Sequence, residues 1–162
     1  MATFQTKTPE ETQKFAGQLA QLLKPGDLIG LVGELGAGKT CFTKGIVQAL
    51  HGDVHVTSPS FTLVNIYDAK QPHIHHIDLY RLEGARDLQE IGFEECISGE
   101  AITLIEWFDN IPEIASQEHL QIMIQAMTNG TREISITGTG PRAQEILDAL
   151  QNHRPVIDDI LL

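Results

Sequence analysis

Gly33-Glu34-Leu35-Gly36-Ala37-Gly38-Lys39-Thr40 fits the pattern G-x-x-x-x-G-K-[ST], and that match decides how the rest of the chain is read. Glycines at these positions let backbone N–H groups turn inward and approach phosphate oxygens. The lysine adds a point charge for the β- and γ-phosphates, and the threonine hydroxyl suits Mg²⁺. Such a P-loop needs a strand before it and a helix after it. Asp27-Leu28-Ile29-Gly30-Leu31-Val32, entered through Pro25-Gly26, is an apolar run of the kind found in a buried strand. From Gly38 to His51, the residues Phe42, Ile46, Val47 and Leu50 recur at helical spacing. The loop therefore feeds a helix N-terminus, whose partial positive charge favours an anion.

Composition narrows the function classes. The 162 residues suffice for one domain with a core, and 41% of them are apolar. No apolar stretch approaches the roughly 18 residues of a membrane helix. The first seven residues lack a basic segment followed by an apolar one, so no signal peptide is expected. Two cysteines, Cys41 and Cys96, give no disulfide framework, and the expected location is cytoplasmic. Net charge is −11, from 11 basic and 22 acidic residues. Binding bare nucleic acid needs phosphate neutralisation by Lys and Arg. Any contact with RNA is therefore expected inside a complex whose other members supply the positive charge.

The remaining elements follow from pattern. Thr8-Pro9-Glu10-Glu11 is a capping box with proline at the first helical position. That helix carries Phe15, Leu19, Leu22 and Leu23 on one face and is expected to stop at Pro25-Gly26. A polar loop runs from Gly52 to Pro59. A strand is expected from Phe61 to Tyr67, a hairpin connection at 68–72, and a return strand from His73 to Leu79. Glu83 to Ser98 suggests a short helix broken at Gly92, and Ala101 to Ile105 a buried strand ending in Glu106-Trp107. Residues 111–117 read as loop. His119–Met127 and Arg132–Thr137 flank Asn129-Gly130, a strong hairpin signal. Pro141 to Asn152 reads as the last helix, and the half-apolar tail from Val156 to Leu162 suits docking. Residues 1–162 thus read as one α/β domain whose sheet mixes parallel and antiparallel strands.

A nucleotide hydrolase also needs an acid on the metal side of the site. Glu106 closes an apolar strand at the edge where α/β sheets bind ligands, and Asp78, the second candidate, ends the His73–Leu79 strand. Ser58, Ser60 and Thr62 lie about twenty residues past the loop, where switch proteins place a hydroxyl that senses the γ-phosphate; spacing alone favours a polar turn braced by Pro59. Strand alternation sets His73 and His75 on one face and His76 with Asp78 on the other. No second cluster completes a tetrahedral zinc set, and His76 reads as support for the nucleotide site. Trp107, the only tryptophan, reads as a core or rim aromatic able to cover the site or meet a partner.

Taken in order, the P-loop, Ser58-Pro59-Ser60-Phe61-Thr62-Leu63-Val64, His76-Ile77-Asp78-Leu79-Tyr80-Arg81-Leu82 and Ile105-Glu106-Trp107 resemble the bacterial TsaE (YjeE) family. The resemblance implies a small P-loop NTPase fold: a central mixed sheet, with a parallel core and antiparallel hairpins, flanked by helices. It implies a Mg-ATP-binding ATPase of tRNA threonylcarbamoyladenosine synthesis. Its slow hydrolysis would rise with the partners TsaB and TsaD, and tRNA would be met only through that complex. Carried over residue by residue, Lys39, Asp78 and Glu106 would be catalytic, and Thr40 and Glu106 would serve Mg²⁺. Glu34, Leu35, Gly36, Ala37, Gly38, Lys39, Thr40 and Cys41 would line the nucleotide, with Trp107 beside them and Glu10 and Arg132 as further contacts. The family usually has Asp at Glu34, Thr or Ser at Cys41, and Thr at Ser60; none of these departures removes a phosphate-binding group.

Other classes fit less well. A GTPase needs Asn-Lys-x-Asp and Asp-x-x-Gly after the P-loop, and neither follows Thr40. A small-molecule kinase is the alternative enzyme, with residues 81–86 imitating an arginine lid. The chain has only five arginines, few for a charged-metabolite pocket. A non-hydrolysing protein that holds ATP as a structural switch is the third class, and Lys39, Thr40 and Glu106 together argue that hydrolysis is possible.

Overall fold

The computed structural model describes residues 1–152, so the tail at 156–162 lies outside the described residues. Its first element is a strand, β1 (Ala2–Thr6), with Ala2, Phe4 and Thr6 buried. The sequence reading places no strand there. Three inward positions are a weak signal until a distant strand supplies their partner. Helix α1 (Pro9–Ala20) starts as its capping residues require, the Thr8 hydroxyl accepting the Glu11 amide at 3.1 Å. It ends a turn earlier than expected, leaving Leu22 and Leu23 in a tightened turn bonded to Leu19 and Ala20. The buried strand β2 (Leu28–Val32) and helix α2 (Lys39–His51) follow on either side of the glycine loop.

β3 (Val64–Tyr67) starts three residues later than the alternation suggests. Leu63 takes a left-handed backbone, φ 67°, and its amide bonds back to Pro59 at 2.7 Å, so residues 59–62 turn and the ladder begins only after the Leu63 carbonyl has accepted the Asp78 amide. β4 (Ile74–Asp78), α3 (Ala85–Glu90), α4 (Phe93–Cys96) and β5 (Ile102–Glu106) lie where the pattern puts them, with the helical break at Gly92. Pro112–Ser116 forms a short 3₁₀ turn where plain loop is expected at 111–117, and Phe108–Asn110 forms another just before it. β6 (His119–Ala126) and β7 (Arg132–Thr139) make the Asn-Gly hairpin, and α5 (Pro141–Asn152) closes the described chain.

All seven strands form one sheet in the order β1-β7-β6-β2-β5-β4-β3. β6, β2, β5 and β4 run parallel, while β3 and β7 are antiparallel to their neighbours. This is the mixed sheet expected from the sequence. β2 stands between strands that come later on both sides, which makes its carboxyl end the crevice where the strand order reverses. One face carries Ile29, Leu31, Ile74, Leu104 and Ile122 against α1, α2 and α5. The opposite face carries Leu28, Ile77 and Ile105 against α3, α4 and the 3₁₀ turns. No helix among the described residues is long and apolar enough to cross a membrane.

Two glycines set the spacing near the loop. A Cβ on Gly30 would lie 2.3 Å from the Phe108 ring, so bare backbone in β2 seats the residue that follows Trp107. A Cβ on Gly45 would lie 2.4 Å from the Gln13 carbonyl and 2.7 Å from the Ala16 Cβ. That close crossing draws the start of α1 to the start of α2, where the Cys41 thiol donates to the Pro9 carbonyl at 3.4 Å. Farther off, at the opposite end of the sheet, Arg142 forks onto Asp27 with two 2.9 Å bonds, a geometry favoured for carboxylates. Gly45→Ala is expected to destabilise the fold by about 1–3 kcal/mol through overpacking, measured by urea unfolding. Unchanged stability would show that the two helices separate freely.

Candidate functional site at the carboxyl edge of the sheet

The glycine loop turns from β2 into α2 through Gly38, whose φ of 115° a side chain would resist. As the N-cap of α2, Gly38 offers no side chain to the first-turn amides. Those amides are left for an external acceptor, and the helix dipole prefers that acceptor to be anionic. Lys39, only 5% exposed, folds back so that its ammonium donates to the carbonyls of Gly33 and Glu34. It also lies 3.8 Å from the centre of the Trp107 ring, a cation–π contact. Burial pushes its pKa below the ordinary lysine value, while the Glu106, Asp78 and Asp109 carboxylates pull the other way.

Asp78 and Glu106 are register partners at the ends of β4 and β5. Both carboxylates are buried, at 2% and 3% exposure, and both are answered by hydrogen bonds. The Thr40 hydroxyl lies 2.9 Å from Glu106 Oε1 and 3.1 Å from Oε2. The His76 ring reaches Oε1 at 2.8 Å through Nε2. Asp78 Oδ2 accepts from the Ser58 and Ser60 hydroxyls at 2.8 and 3.2 Å, and Oδ1 accepts from the Tyr80 amide at 2.8 Å. The two candidate acids therefore have different neighbours: Glu106 faces the P-loop threonine, and Asp78 faces the serine loop.

A cleft of about 480 Å³ holds these groups, lined by Lys39, Thr40, Cys41, Asp78, Glu106 and Trp107 among others. A second, of about 470 Å³, lies between the P-loop and the end of β6 and shares Leu35, Gly36 and Trp107 with the first. The donor set suits a phosphate chain with a divalent cation. It combines a buried ammonium, an uncapped helix start, and a hydroxyl and a carboxylate already within bonding distance.

The remaining sequence candidates fall around this centre. Glu34 is exposed, and Leu35 and Gly36 form the tip of the loop. Ala37 is buried, and its carbonyl accepts from Arg132 Nε at 2.9 Å, so Arg132 braces the loop from the β7 side. Glu10 is exposed at the start of α1, beside the Pro9 carbonyl that Cys41 contacts. Ser58 and Ser60 reach Asp78, but Thr62 turns to Asn65 at 3.1 Å on the exposed side. His76 shares its strand face with Asp78, as alternation requires, but its ring bonds Glu106. His75 instead contacts the Cys96 carbonyl from the opposite face.

Some features escape sequence reasoning. Trp107 has φ 57°, unusual for a bulky residue, and its ring packs on Tyr80 at 5.0 Å. Arg81 covers the exposed Phe61 ring at 4.4 Å. Nothing local in the sequence signals either contact. The one available hint for Tyr80 and Arg81 is that they directly follow Asp78 and Leu79.

A family model described as "Threonylcarbamoyl adenosine biosynthesis protein TsaE" matches residues 6–134. A Bacillus subtilis protein named tRNA threonylcarbamoyladenosine biosynthesis protein TsaE is 38% identical over 150 residues, covering 93% of this chain and 94% of that one. A Rickettsia conorii protein of the same name is 40% identical over 153 residues, covering 92% of this chain and 86% of its own. The crystal structure of Bacillus subtilis YdiB superposes with a TM-score of 0.78 at 34% identity, covering 94% of this chain and 95% of that one. The P-loop NTPase-type fold, the order of the motifs and these likenesses agree: the chain belongs to the TsaE family.

Proposed function

We propose that this protein is a Mg-ATP-dependent ATPase of tRNA threonylcarbamoyladenosine biosynthesis, one domain that works with TsaB and TsaD to drive turnover of the synthase they form. The observation that carries the reading is the Thr40 hydroxyl 2.9 Å from the buried Glu106 carboxylate, next to a lysine anchored on its own loop. The names of the relatives supply the pathway. The net charge of −11 supports a division of labour in which other subunits hold the tRNA.

Backbone amides from Leu35 to Thr40 bind the phosphates, and Lys39 leaves the Gly33 and Glu34 carbonyls to join them. Thr40 and Glu106 hold Mg²⁺ or its waters; when bound, the ion neutralises charge that develops on the phosphate oxygens. Asp78 couples the 58–60 serines to the site, a role supported by its three accepted hydrogen bonds. Trp107 covers Lys39 and excludes water from it. Cys41, Glu10 and Arg132 border the nucleotide on the α1 and β7 sides.

Phosphate release by the purified chain, alone and with TsaB and TsaD, tests the reading. Slow basal turnover that rises with the partners is expected. Phosphate transfer to a metabolite in place of hydrolysis would move the chain to the kinases. Lys39→Ala is expected to weaken ATP binding by at least about tenfold through loss of a charge-assisted contact; retained hydrolysis sinks the P-loop assignment. Asp78→Ala should keep ATP affinity within about threefold yet lose roughly tenfold or more of the stimulated rate; equal losses in both would make it a binding residue.

The sign of the pH dependence follows from Lys39. Phosphate is bound by its protonated form, and burial lowers its pKa. ATP affinity, followed by calorimetry on the alkaline side, should therefore fall before the pH reaches the 10.5 of an ordinary lysine. Affinity that holds level to that pH contradicts the role given to Lys39.

A further inference from the structure

The His76 ring is fully buried, at 0% exposure, and uses one nitrogen only. Nε2 lies 2.8 Å from Glu106 Oε1, and Nδ1 has no hydrogen-bond partner. With Glu106 ionised its carboxylate offers only lone pairs, and the tautomer that completes this bond carries its proton on Nε2. The ring stacks on Tyr67 at 6.5 Å with 23° between planes. Burying an imidazole with an unmet nitrogen costs free energy. A plain packing role would be served better by leucine or phenylalanine.

The Glu106 carboxylate shows what the arrangement gains. Oε1 receives both His76 and Thr40, at 2.8 and 2.9 Å, whereas Oε2 meets Thr40 alone at 3.1 Å. The His76 bond occupies Oε1 wherever the Thr40 proton points, so Oε2 is the oxygen with fewer protein donors. We infer that His76 is a positioning residue for the metal-side carboxylate. It pins Oε1 so that Oε2 is the oxygen presented to the divalent cation or its water. This inference rests on the assignment of Glu106 to Mg²⁺ proposed above. Outer partners of this kind typically change metal affinity by about 10–100-fold when removed.

The test uses the full chain, a non-hydrolysable ATP analogue and Mg²⁺, with calorimetry in EDTA and across a Mg²⁺ series. His76→Phe keeps a ring against Tyr67 and removes the donor; His76→Gln returns an N–H near the position of Nε2. The Phe variant is expected to need about tenfold more Mg²⁺ for half-maximal tightening of nucleotide binding, with affinity in EDTA unchanged and the Gln variant near wild type. An unaltered Mg²⁺ response in the Phe variant overturns the inference, as does an equal loss with and without metal. A wild-type chain that shows no Mg²⁺ dependence fails the proposed function instead. Imidazole ¹⁵N spectra of the unmutated protein answer independently of how the variants fold. A His76 proton on Nε2, whose resonance moves when Mg²⁺ and the analogue are added together, supports the role; a proton on Nδ1 alone refutes it.

Discussion

Three charged side chains, Lys39, Asp78 and Glu106, are buried together at the carboxyl edge of the sheet. Charges removed from water are tolerated only when other groups replace its hydrogen bonds. The surrounding structure is arranged to do so. Loop carbonyls receive the ammonium, two serines and a backbone amide serve Asp78, and a threonine and a histidine serve Glu106. The partners come from the glycine loop after β2, α2, the 57–63 loop and β4 with the turn after it, so the charges tie these segments and β5 to one point. The low dielectric that makes the burial expensive also strengthens whatever electrostatic work the site performs.

The serine loop is attached to that point at several levels. Side chains of Ser58 and Ser60 bond Asp78, the Leu63 carbonyl accepts the Asp78 amide at 3.0 Å, and Phe61 lies against Arg81. A change at the Asp78 carboxylate therefore reaches an exposed aromatic side chain through few bonds. Leu35, Phe61 and Tyr80 stand at 83%, 83% and 53% exposure around the same cleft. In the proposed function, this rim joins the chemistry of the site to whatever surface a partner presents.

Much of this was legible because it is local. The P-loop declares itself in eight residues, and a buried strand and an amphipathic helix flank it in a pattern that needs no tertiary knowledge. Asp78 and Glu106 are visible as acids that end strands. The parts that stayed hidden depend on contacts between distant residues or on unusual backbone. β1 forms because β7 pairs with it in antiparallel register. The Arg132 brace on Ala37 spans 95 residues. The left-handed backbone at Leu63 and Trp107 has no glycine to announce it.

The sequence by itself determined the glycine loop, the order of helices and strands around it, and the two acids at the strand ends beside it. Those follow from short-range sterics and from hydrophobic periodicity, which are properties of neighbouring residues. Only the tertiary structure decided which acid faces Thr40 and which faces the serines, and that His76 bonds Glu106 across two parallel strands. Alternation fixes the face on which a side chain lies, but the neighbouring strand and its register choose the partner there.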